Sequence, residues 1–438
     1  MKSVRRTLTF LCAVPFLLTA ASTHAEPLSL KASLSAALAN NPLVAESRLG
    51  IEAGQQSVTS AEGKHYPRIN LDGNFTQRQD PLPYIPAQSS KIGAHFSDSF
   101  ASYTLQMTIP FYQGGQVVNG VELAKLRQQL QEDNLKLTKN DIIANTVNTY
   151  NKILQTQKFR ESALASVAAL EEQRKNAQQL YDTGKIAWVD LLKVDVQLAN
   201  DKQRLLSIDE ALANLGATLR YLMGVREEGN ALSVTLSDSL SQPDLTAAFA
   251  DGINMAHQLR PEYQIAGKNV KEASLNYAVA RGKLLPTVSG FAGYLDQFGF
   301  DPHYKEANWF FGINLSIPIF EKSLYSDLSR ERIQQTKSDQ RLLVVDNQIR
   351  LDIQTSISSL QESKNRIDTA AKATEQAGES FRIEQEKYKI GAGAIVDLLL
   401  AQAADLTAAA NYTQALFDYN AAMVAWRKAT GTLEDYLK

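Results

Sequence analysis

The chain has 438 residues, with 45 lysines and arginines against 47 aspartates and glutamates, which gives a formal net charge of −2 at pH 7. This mild acidity argues against nucleic acid as a partner, because surfaces that bind nucleic acid are rich in bases. The only cysteine is Cys12, and the histidines are isolated from one another, so the sequence predicts neither a disulfide framework nor a Cys/His metal site.

Residues 1–25 have the pattern of a secretory signal peptide. The first six residues include three bases, residues 8–20 are apolar, and Ala25 ends a suitable cleavage site. Removal of three bases and no acid changes the net charge from −2 to −5. Cleavage would also remove Cys12, which leaves no disulfide, thiolate or lipid anchor. No later apolar run approaches the ~18 residues of a transmembrane helix, so an exported chain of this kind is soluble, secreted or inserted as β-strands.

Two very long stretches contain no proline, residues 111–242 and 319–438. Proline inside a helix costs about 3 kcal/mol, so its absence permits uninterrupted helices. In the first half we expect a signal peptide over 1–25 and a first repeat over 26–224. The repeat is predicted to contain a helix from Pro42 to just before Pro67 and a β-hairpin over 68–111. A long helix over 116–182 and a helix over 188–222 should follow.

The second half follows the same plan. We expect a linker over 225–260 with a short strand over 232–236, a second repeat over 261–431 and a tail over 432–438. The second repeat is predicted to contain a helix that ends before Pro286, a hairpin over 287–319, a long helix over 321–388 and a helix over 394–429. Polar loops are expected inside the hairpins at 80–98 and 297–307. A helix of 67 residues would be roughly 100 Å long, which is far longer than a compact domain needs.

Ordered landmarks recur along the chain at nearly constant spacing. Asn41-Pro42 precedes Arg260-Pro261 by 219 residues, and Tyr181-Asp-Thr-Gly184 precedes Tyr388-Lys-Ile-Gly391 by 207 residues. Val189-Asp-Leu-Leu192 and Val396-Asp-Leu-Leu399 share the second spacing. So many matches in one order predict a tandem duplication.

The last helix of each half has a heptad pattern. One row of the first copy consists of Leu191, Leu198, Leu205, Leu212 and Leu219, and the next of Val194, Asp201, Ile208, Leu215 and Leu222. The matching row of the second copy consists of Ala401, Ala408, Ala415, Ala422 and Ala429, and a looser row of the long helix contains Ile353, Leu360, Ile367, Phe381 and Tyr388. This spacing is typical of coiled coils. A plain coiled-coil rod explains the pattern alone as well as a channel does.

The extended segments alternate in polarity. Their apolar face is predicted to contact lipid through Tyr103, Leu105, Met107, Ile109, Trp309, Phe311, Ile313 and Leu315. A soluble β-sandwich is the simpler explanation of one such strand, but four strands beside helices of ~100 Å do not make a sandwich of ordinary proportions. Four strands cannot close a barrel either, and an open edge in lipid leaves backbone groups unpaired. Three chains would supply twelve strands, an even number.

The whole mature chain resembles the TolC family of outer-membrane efflux and secretion ducts. The resemblance is carried by the motif from Ile109 to Gly115, by Ile317-Pro-Ile-Phe320 and by the two Tyr-x-x-Gly turns, each followed by Asp-Leu-Leu. It implies a fold that is mostly α with β: a homotrimeric outer-membrane β-barrel with four strands per chain, continued into the periplasm by a long α-helical coiled-coil barrel. Glu321-Lys322 stands where the first copy has Gly114-Gly115.

The resemblance also implies functional roles for the two tips. Contact with a periplasmic adaptor (membrane fusion) protein is implied for Gly184, Lys185, Ile186, Gly391, Ala392 and Gly393. A periplasmic constriction is implied for Asp190, Asp397, Glu375 and Glu379. Asp190 matches a family position that holds the closed mouth through interhelical hydrogen bonds, while Glu375 and Glu379 are equally compatible with a solvated helix face. The glycines are also ordinary turn residues.

No catalytic, metal-binding or cofactor motif is found in the sequence, so we expect a conduit rather than an enzyme, with no cofactor. One hypothesis is the exit duct of a tripartite pump, which receives small toxic compounds from an inner-membrane transporter through the adaptor. A second is the same duct in a type I protein secretion system. A third, of another class, is a periplasmic coiled-coil scaffold without a pore.

Overall fold

The computed structural model describes residues 28–85, 95–225, 236–243, 245, 248–300 and 303–438. The predicted signal peptide lies outside the described residues. Within them the elements are α1 Leu30–Asn40, α2 Pro42–Gly63, β1 Arg68–Ile85, β2 His95–Gln113, α3 Gln116–Asp182, α4 Trp188–Leu222, α5 Phe249–Leu259, α6 Pro261–Gly282, β3 Thr287–Phe300, β4 His303–Ser316, α7 Lys322–Lys389, α8 Ile395–Thr430 and a 3-10 helix Leu433–Leu437. In that part of the chain, none of the helices is long and apolar enough to cross a membrane.

The long helices begin and end where local chemistry requires it. Gly115, with φ of 76°, precedes α3, and Gly184, with φ of 70°, follows it. This left-handed conformation suits glycine, which has no Cβ to clash. Proline occupies the first turn of both α2 and α6, where its missing N–H costs nothing. The Asn41 side chain accepts a hydrogen bond from the Leu43 N–H at 2.9 Å and donates one to the Leu222 carbonyl at 2.8 Å, and so joins the start of α2 to the end of α4.

The four strands form one antiparallel sheet in the order β1-β2-β3-β4. Residues directly opposite each other share a face, so the register defines which side chains lie together. One row runs through Leu71, Leu105, Tyr294 and Trp309, and these side chains lie on the apolar face. Alternate residues lie on the polar face, for example Asp72 opposite Thr104.

The strands differ in length from the sequence prediction. The predicted loop over 80–98 is too long, because β1 continues to Ile85 and β2 begins at His95. The predicted loop over 297–307 is also too long, because β3 continues to Phe300 and β4 begins at His303. The prediction that the last strand reaches residue 319 is also wrong: β4 ends at Ser316, and Ile319 is 91% exposed outside any strand. Pro318 interrupts the alternation there and cannot donate a ladder hydrogen bond.

Two short helices were not predicted, α1 and α5. Each is 11 residues long, and both lie in the region where the predicted linker and the chain termini meet. Ser29 marks the start of α1, since its side chain accepts a hydrogen bond from the Ala32 N–H at 3.2 Å. Most of the strand predicted over 232–236 lies outside the described residues, but Leu236 forms a parallel bridge with Leu28.

We call this region the belt: α1, α5, residues 236–243, the 3-10 helix and the adjoining parts of α3, α7 and α8. Its largest fully buried side chains are Tyr150 and Tyr419. The Tyr150 hydroxyl shares its proton between the Leu28 carbonyl at 2.8 Å and Asp238 Oδ2 at 2.7 Å. Asp238 also accepts a hydrogen bond from the Leu30 N–H at 2.9 Å. The belt therefore ties the N-terminal segment and the linker to α3.

The predicted heptad rows form the seams between the helices. Buried members are Leu191, Val194, Leu198, Leu219 and Leu222 on α4, Ile353, Leu360 and Ile367 on α7, and Ala408, Ala415, Ala422 and Ala429 on α8. Asp201 interrupts the α4 row and is buried, but Ser166 Oγ and Gln197 Nε2 donate hydrogen bonds to it. A paired carboxylate is thus tolerated at a seam position.

Candidate functional site: the helix tips and the sheet

The two predicted tips lie together at one end of the helices. A single apolar cluster joins Ala177, Leu191 and Val194 of the first tip to Ile395 and Leu398 of the second. This packing makes the end of the molecule one unit rather than two separate hairpins.

The two tip turns have the same backbone geometry. The Lys185 N–H donates to the Leu180 carbonyl at 2.8 Å, and the Ala392 N–H donates to the Lys387 carbonyl at 2.9 Å. Both bonds close a glycine-based helix end of the Schellman type. Of the six residues predicted to contact an adaptor, Gly184, Lys185, Gly391 and Ala392 are exposed, and Ile186 and Gly393 are half-buried.

Apolar side chains that the sequence analysis did not single out surround the tips. Trp188 is 51% exposed and Ile390 is 77% exposed, and the set continues with Val189, Val396 and Leu400. The Trp188 ring lies 5.3 Å from the Tyr181 ring across the first turn. An exposed apolar set of this kind is typical of a protein contact surface. These apolar side chains could have been found from the sequence, because Trp188 and Val189 directly precede Asp190 beside the predicted tip turn.

Asp190 lies in the first turn of α4, where a carboxylate interacts favourably with the helix dipole. Within the described chain its carboxylate accepts a hydrogen bond from Lys193 Nζ at 3.0 Å, on its own helix rather than between helices. Across the helix pair, the Tyr388 hydroxyl of α7 is buried without a hydrogen-bond partner in the described residues. Burial raises the pKa of Tyr388, and the negative charge of Asp190 raises it further.

The four predicted constriction residues lie at different distances from the ends of their helices. Asp397 occupies the first turn of α8, in the same position as Asp190 on α4. Glu379 and Glu375 precede the end of α7 at Lys389 by 10 and 14 residues, which is about 15 and 21 Å along a helix. Both glutamates line a shallow groove with Lys387, and Arg382 binds Glu379 through two hydrogen bonds of 2.7 and 2.8 Å. Arg382 holds the pKa of Glu379 below its usual value.

At the other end of the molecule, the sheet presents the predicted lipid-facing residues on its apolar face. Trp309, Phe311 and Ile313 are between 72% and 74% exposed, Tyr103, Leu105 and Leu315 are less so, and Met107 and Ile109 are half-buried. The register places these side chains in neighbouring rows on one side of the sheet.

One acid lies among these apolar residues. Asp296 is fully buried, and its Oδ2 accepts hydrogen bonds from the Tyr103 hydroxyl at 2.6 Å and Lys305 Nζ at 2.9 Å. Sequence reasoning missed this cluster because residues 103, 296 and 305 come from three strands. The pairing removes most of the cost of an isolated carboxylate at this position.

No group of three or more His, Cys, Asp or Glu side chains that could hold a metal ion occurs among the described residues.

Exposed apolar strands that continue into ~100 Å helices define a class of protein, the outer-membrane channels. The family of outer membrane efflux proteins matches residues 33–225 and 252–432, and the chain belongs to this family. It is therefore located in the outer membrane and extends into the periplasm.

Curated relatives and solved structures agree with this assignment. The outer membrane protein TolC of Vibrio cholerae serotype O1 is 21% identical over 404 residues, covering 90% of this chain and 89% of TolC. The outer membrane efflux protein BepC of Brucella suis is 22% identical over 412 residues, covering 92% and 86%. The fold matches the Campylobacter jejuni CmeC outer membrane channel with a TM-score of 0.80, 16% identity and coverage of 92% and 85%. It matches VceC of Vibrio cholerae with a TM-score of 0.77, 17% identity and coverage of 92% and 96%.

Proposed function

We propose that three copies of this chain form the exit duct of a tripartite efflux pump. The observation that carries the proposal is the four-stranded sheet, whose first and last strands, β1 and β4, form its two edges. An unpaired edge in lipid leaves backbone groups without hydrogen-bond partners, and each such group costs roughly several kcal/mol. Pairing β1 of one copy with β4 of the next, three times over, closes a twelve-stranded barrel and removes every edge.

The helices would continue this barrel as a tunnel built from two repeats per chain. Two glycines support the duplication. Gly224 follows α4 with φ of 68°, and Gly431 follows α8 with φ of 79°. Each packs against the backbone just before the proline-initiated helix of the same repeat, at Asn40 and at Leu259 respectively. A tandem repeat places one helix pair of each copy beside the other around a common axis.

The tips would form the periplasmic mouth and meet the adaptor protein. Four of the predicted adaptor residues are exposed, and the apolar side chains around them give a partner something to bury. The closed mouth would be stabilised through Asp190, whose carboxylate is near enough to the buried Tyr388 hydroxyl of α7 to raise its pKa, and so interacts across the helix pair.

The cargo would be small toxic compounds from an inner-membrane transporter. Relatives named for efflux and for pyoverdine export support a small-molecule duct over a type I secretion duct. A coiled-coil scaffold without a pore would not explain why one face of the sheet is apolar and exposed.

The proposal is tested by reconstituting the purified protein in a planar lipid bilayer. A small resting conductance is expected for the native protein and a larger one for Asp190→Ala, because the mouth loses a closing contact. The matched control is Asp182→Ala, at the same tip, where the carboxylate is bonded within its own helix to Gln178 at 2.8 Å. Equal conductance in the native protein and in both variants would remove the gating role of Asp190, and absence of any conductance would contradict the duct itself.

Cross-linking tests the partner and the processing of the chain. A photo-reactive amino acid at position 185 should capture an adaptor protein in intact cells, whereas the same probe at exposed position 339 on α7 should not. Sequencing of the mature N-terminus should give Glu26. Capture of a secreted polypeptide inside the duct would favour the protein secretion alternative.

A further inference from the structure

The polar face of the sheet differs between its two hairpins. On β1 and β2 this face carries only polar side chains over its central rows, namely Asn70, Asp72 and Asn74 and, opposite them, Ser102, Thr104 and Gln106. On β3 and β4 the same face carries Phe291, Leu295 and Phe310. We call these three residues the lumen strip, because the proposed barrel encloses this face.

The three residues of the lumen strip occupy consecutive rows. Phe291 pairs with Gly312, Gly293 pairs with Phe310, and Leu295 pairs with Asn308. Successive rows on one face lie about 6.8 Å apart along a strand, so the strip extends for roughly 14 Å. The rings of Phe291 and Phe310 have centroids 6.1 Å apart and an angle of 51° between their planes. The strip is therefore continuous.

Glycine makes room for both rings. A Cβ on Gly293 would lie 2.6 Å from Phe310 Cζ, and a Cβ on Gly312 would lie 2.7 Å from Phe291 Cζ. Each ring thus lies flat against the sheet, which is a known way to stabilise a strand glycine. Flat rings line a pore without narrowing it, and both remain half-exposed. Stabilising the glycines accounts for the ring position but not for Leu295, whose neighbours are Thr104 and Asn308.

An acid lies next to the Leu295 end of the lumen strip. Glu306 is in the row that follows Leu295, and residues in this diagonal relation are about 7–8 Å apart. Its Oε1 accepts a hydrogen bond from Asn308 Nδ2 at 3.3 Å, while its Oε2 is buried with no partner in the described residues. This carboxylate oxygen without a donor lies one row beyond Leu295 and two rows beyond Phe310, so the strip and the acid together match a ligand that carries both an aromatic ring and a cationic group.

Within one chain, the remaining charges of this face lie farther from the strip, on β1. Asp72 is in the row of Leu295 and Arg68 is in the row of Phe291, each two strands away, which is about 9.6 Å. Arg68 Nε is bonded to Asn70 at 3.3 Å, and Arg78 lies over the Phe100 ring at 5.6 Å. Both bases already have partners, which leaves Glu306 as the charge nearest to the strip within one chain.

We propose that Phe291, Leu295 and Phe310, together with Glu306, form a contact site within the pore for small organic cations that carry an aromatic ring. This inference rests on the proposed function, because it requires that the polar face line a conducting barrel. It deepens that function by assigning a class of cargo. The rings attract the aromatic surface and the cationic centre, and the carboxylate selects cations over anions.

The test uses the assembled protein in a planar bilayer with potassium current as the readout. Three probes are added to the side of the membrane at which β3 ends and β4 begins: benzyltrimethylammonium, tetramethylammonium, which lacks the ring, and benzenesulfonate, which has the opposite charge. Benzyltrimethylammonium should reduce the current at the lowest concentration. The double variant Phe291→Ser/Phe310→Ser should need a concentration on the order of three- to tenfold higher for the same block, and Glu306→Gln should reduce the preference over benzenesulfonate.

Two further variants separate the contact site from a purely structural role. Phe311→Ser changes the next residue of β4, on the opposite face, and should leave the block unchanged. Phe291→Leu/Phe310→Leu keeps apolar cover over the glycines but removes the rings, and should weaken the block by benzyltrimethylammonium alone. Assembly of every variant is checked by the trimer band on an unheated gel.

Equal block by the three probes in the native protein would overturn the inference, as would a Leu variant that is blocked like the native protein. A Phe311→Ser effect as large as that of the Ser double variant would assign the change to a loosened barrel, which also overturns it. Potassium conductance without selectivity among the probes would contradict this inference and leave the duct intact, whereas a protein with no conductance would contradict both.

Discussion

The two longest helices, α3 and α7, differ in length by one residue but not in how they are covered. Buried side chains occur along α3 from Val121 to Ala177. On α7 the first buried residue is Ile349, and the preceding 27 positions contain none. Apolar residues of α7 remain in solvent instead, with Ile333 70% exposed and Leu343 56% exposed.

The difference follows from what each helix packs against. α3 contacts α2, α4, α6 and α8, so it has neighbours on both sides of the sheet-proximal half, whereas α7 contacts α5, α6 and α8. Near the sheet α7 is therefore covered on one side only. In the proposed ring of identical chains, this face would be covered because each α7 would lie beside the first repeat of its neighbour.

The largest expected effect separates the two parts of α7. Ile349 is 1% exposed and Ile333 is 70% exposed on the same helix. Ile349→Asp buries an unpaired carboxylate, which costs on the order of 4 kcal/mol or more, and should prevent the chain from folding. Ile333→Asp should leave the chain folded but reduce the trimer. Circular dichroism and light scattering in detergent report the two outcomes, and a full trimer with Ile333→Asp would show that this face is not an interface.

The next effect compares glycines at the two ends of the helix pair. Gly224 has φ of 68°, and a Cβ there would lie 2.4 Å from the Asn40 carbonyl oxygen, whereas Gly184 has φ of 70° and no atom within 4 Å of a Cβ. Gly184→Ala should cost about 1–2 kcal/mol through the left-handed backbone alone. Gly224→Ala should cost several kcal/mol, on the order of 3, because the belt must also move. Thermal unfolding measures both, and equal losses would contradict the close packing at Gly224.

A smaller effect concerns the belt and depends on pH. The Leu30 N–H and the Tyr150 hydroxyl hold the pKa of Asp238 below its ordinary value of 3.8. A lowered pKa in the folded state stabilises the fold above the unfolded pKa, and this contribution is lost as the pH falls through the folded value. Asp238→Asn should therefore reduce stability at pH 6 by about 1 kcal/mol and make unfolding less sensitive to pH below 4.

The control for the pH experiment is Asp339→Asn, which changes an exposed carboxylate of α7. Its unfolding temperature should follow that of the native protein from pH 6 to pH 3. An Asp238→Asn profile parallel to the native profile would contradict the account of the belt.

The last comparison concerns two buried tyrosine hydroxyls, and the smallest effect of all is expected at the second, Tyr388. Tyr150 of α3 has two acceptors, while Tyr388 of α7 has no partner in the described residues. Tyr150→Phe should cost about 1–3 kcal/mol, since the Leu28 carbonyl and Asp238 lose a donor. Tyr388→Phe should change the unfolding free energy by less than about 0.5 kcal/mol. A large loss for Tyr388→Phe would reveal a hydrogen bond across the mouth in the resting trimer.

Local chemistry made part of the fold predictable. The ends of the long helices were predicted to within one residue, because each proline-free stretch begins after a strand proline and is divided at the tip by Gly184 or Gly391. Alternation identified the apolar face of the sheet. Strand length was underestimated, since polar residues such as Asp80 and Glu306 interrupt the apolar signal while backbone pairing continues.

The remaining features depend on contacts between distant residues. α1 and α5 are too short to show a clear period, and they are held by packing on α3, α7 and α8. The pairing of Asp296 with Tyr103 and Lys305 depends on the strand register. The spacing of the acids along α7 is fixed by the helix rise, so the distance of Glu375 from the end of α7 could have been anticipated from residue numbers alone.

Electron cryomicroscopy of the purified protein in lipid nanodiscs tests the central claim most directly. The account predicts three chains around an open lumen, with twelve strands in the bilayer, β1 of each copy beside β4 of the next, and the exposed face of each α7 covered by a neighbour. Single chains whose sheet edges remain unpaired, or a solid helical shaft without a lumen, would contradict it.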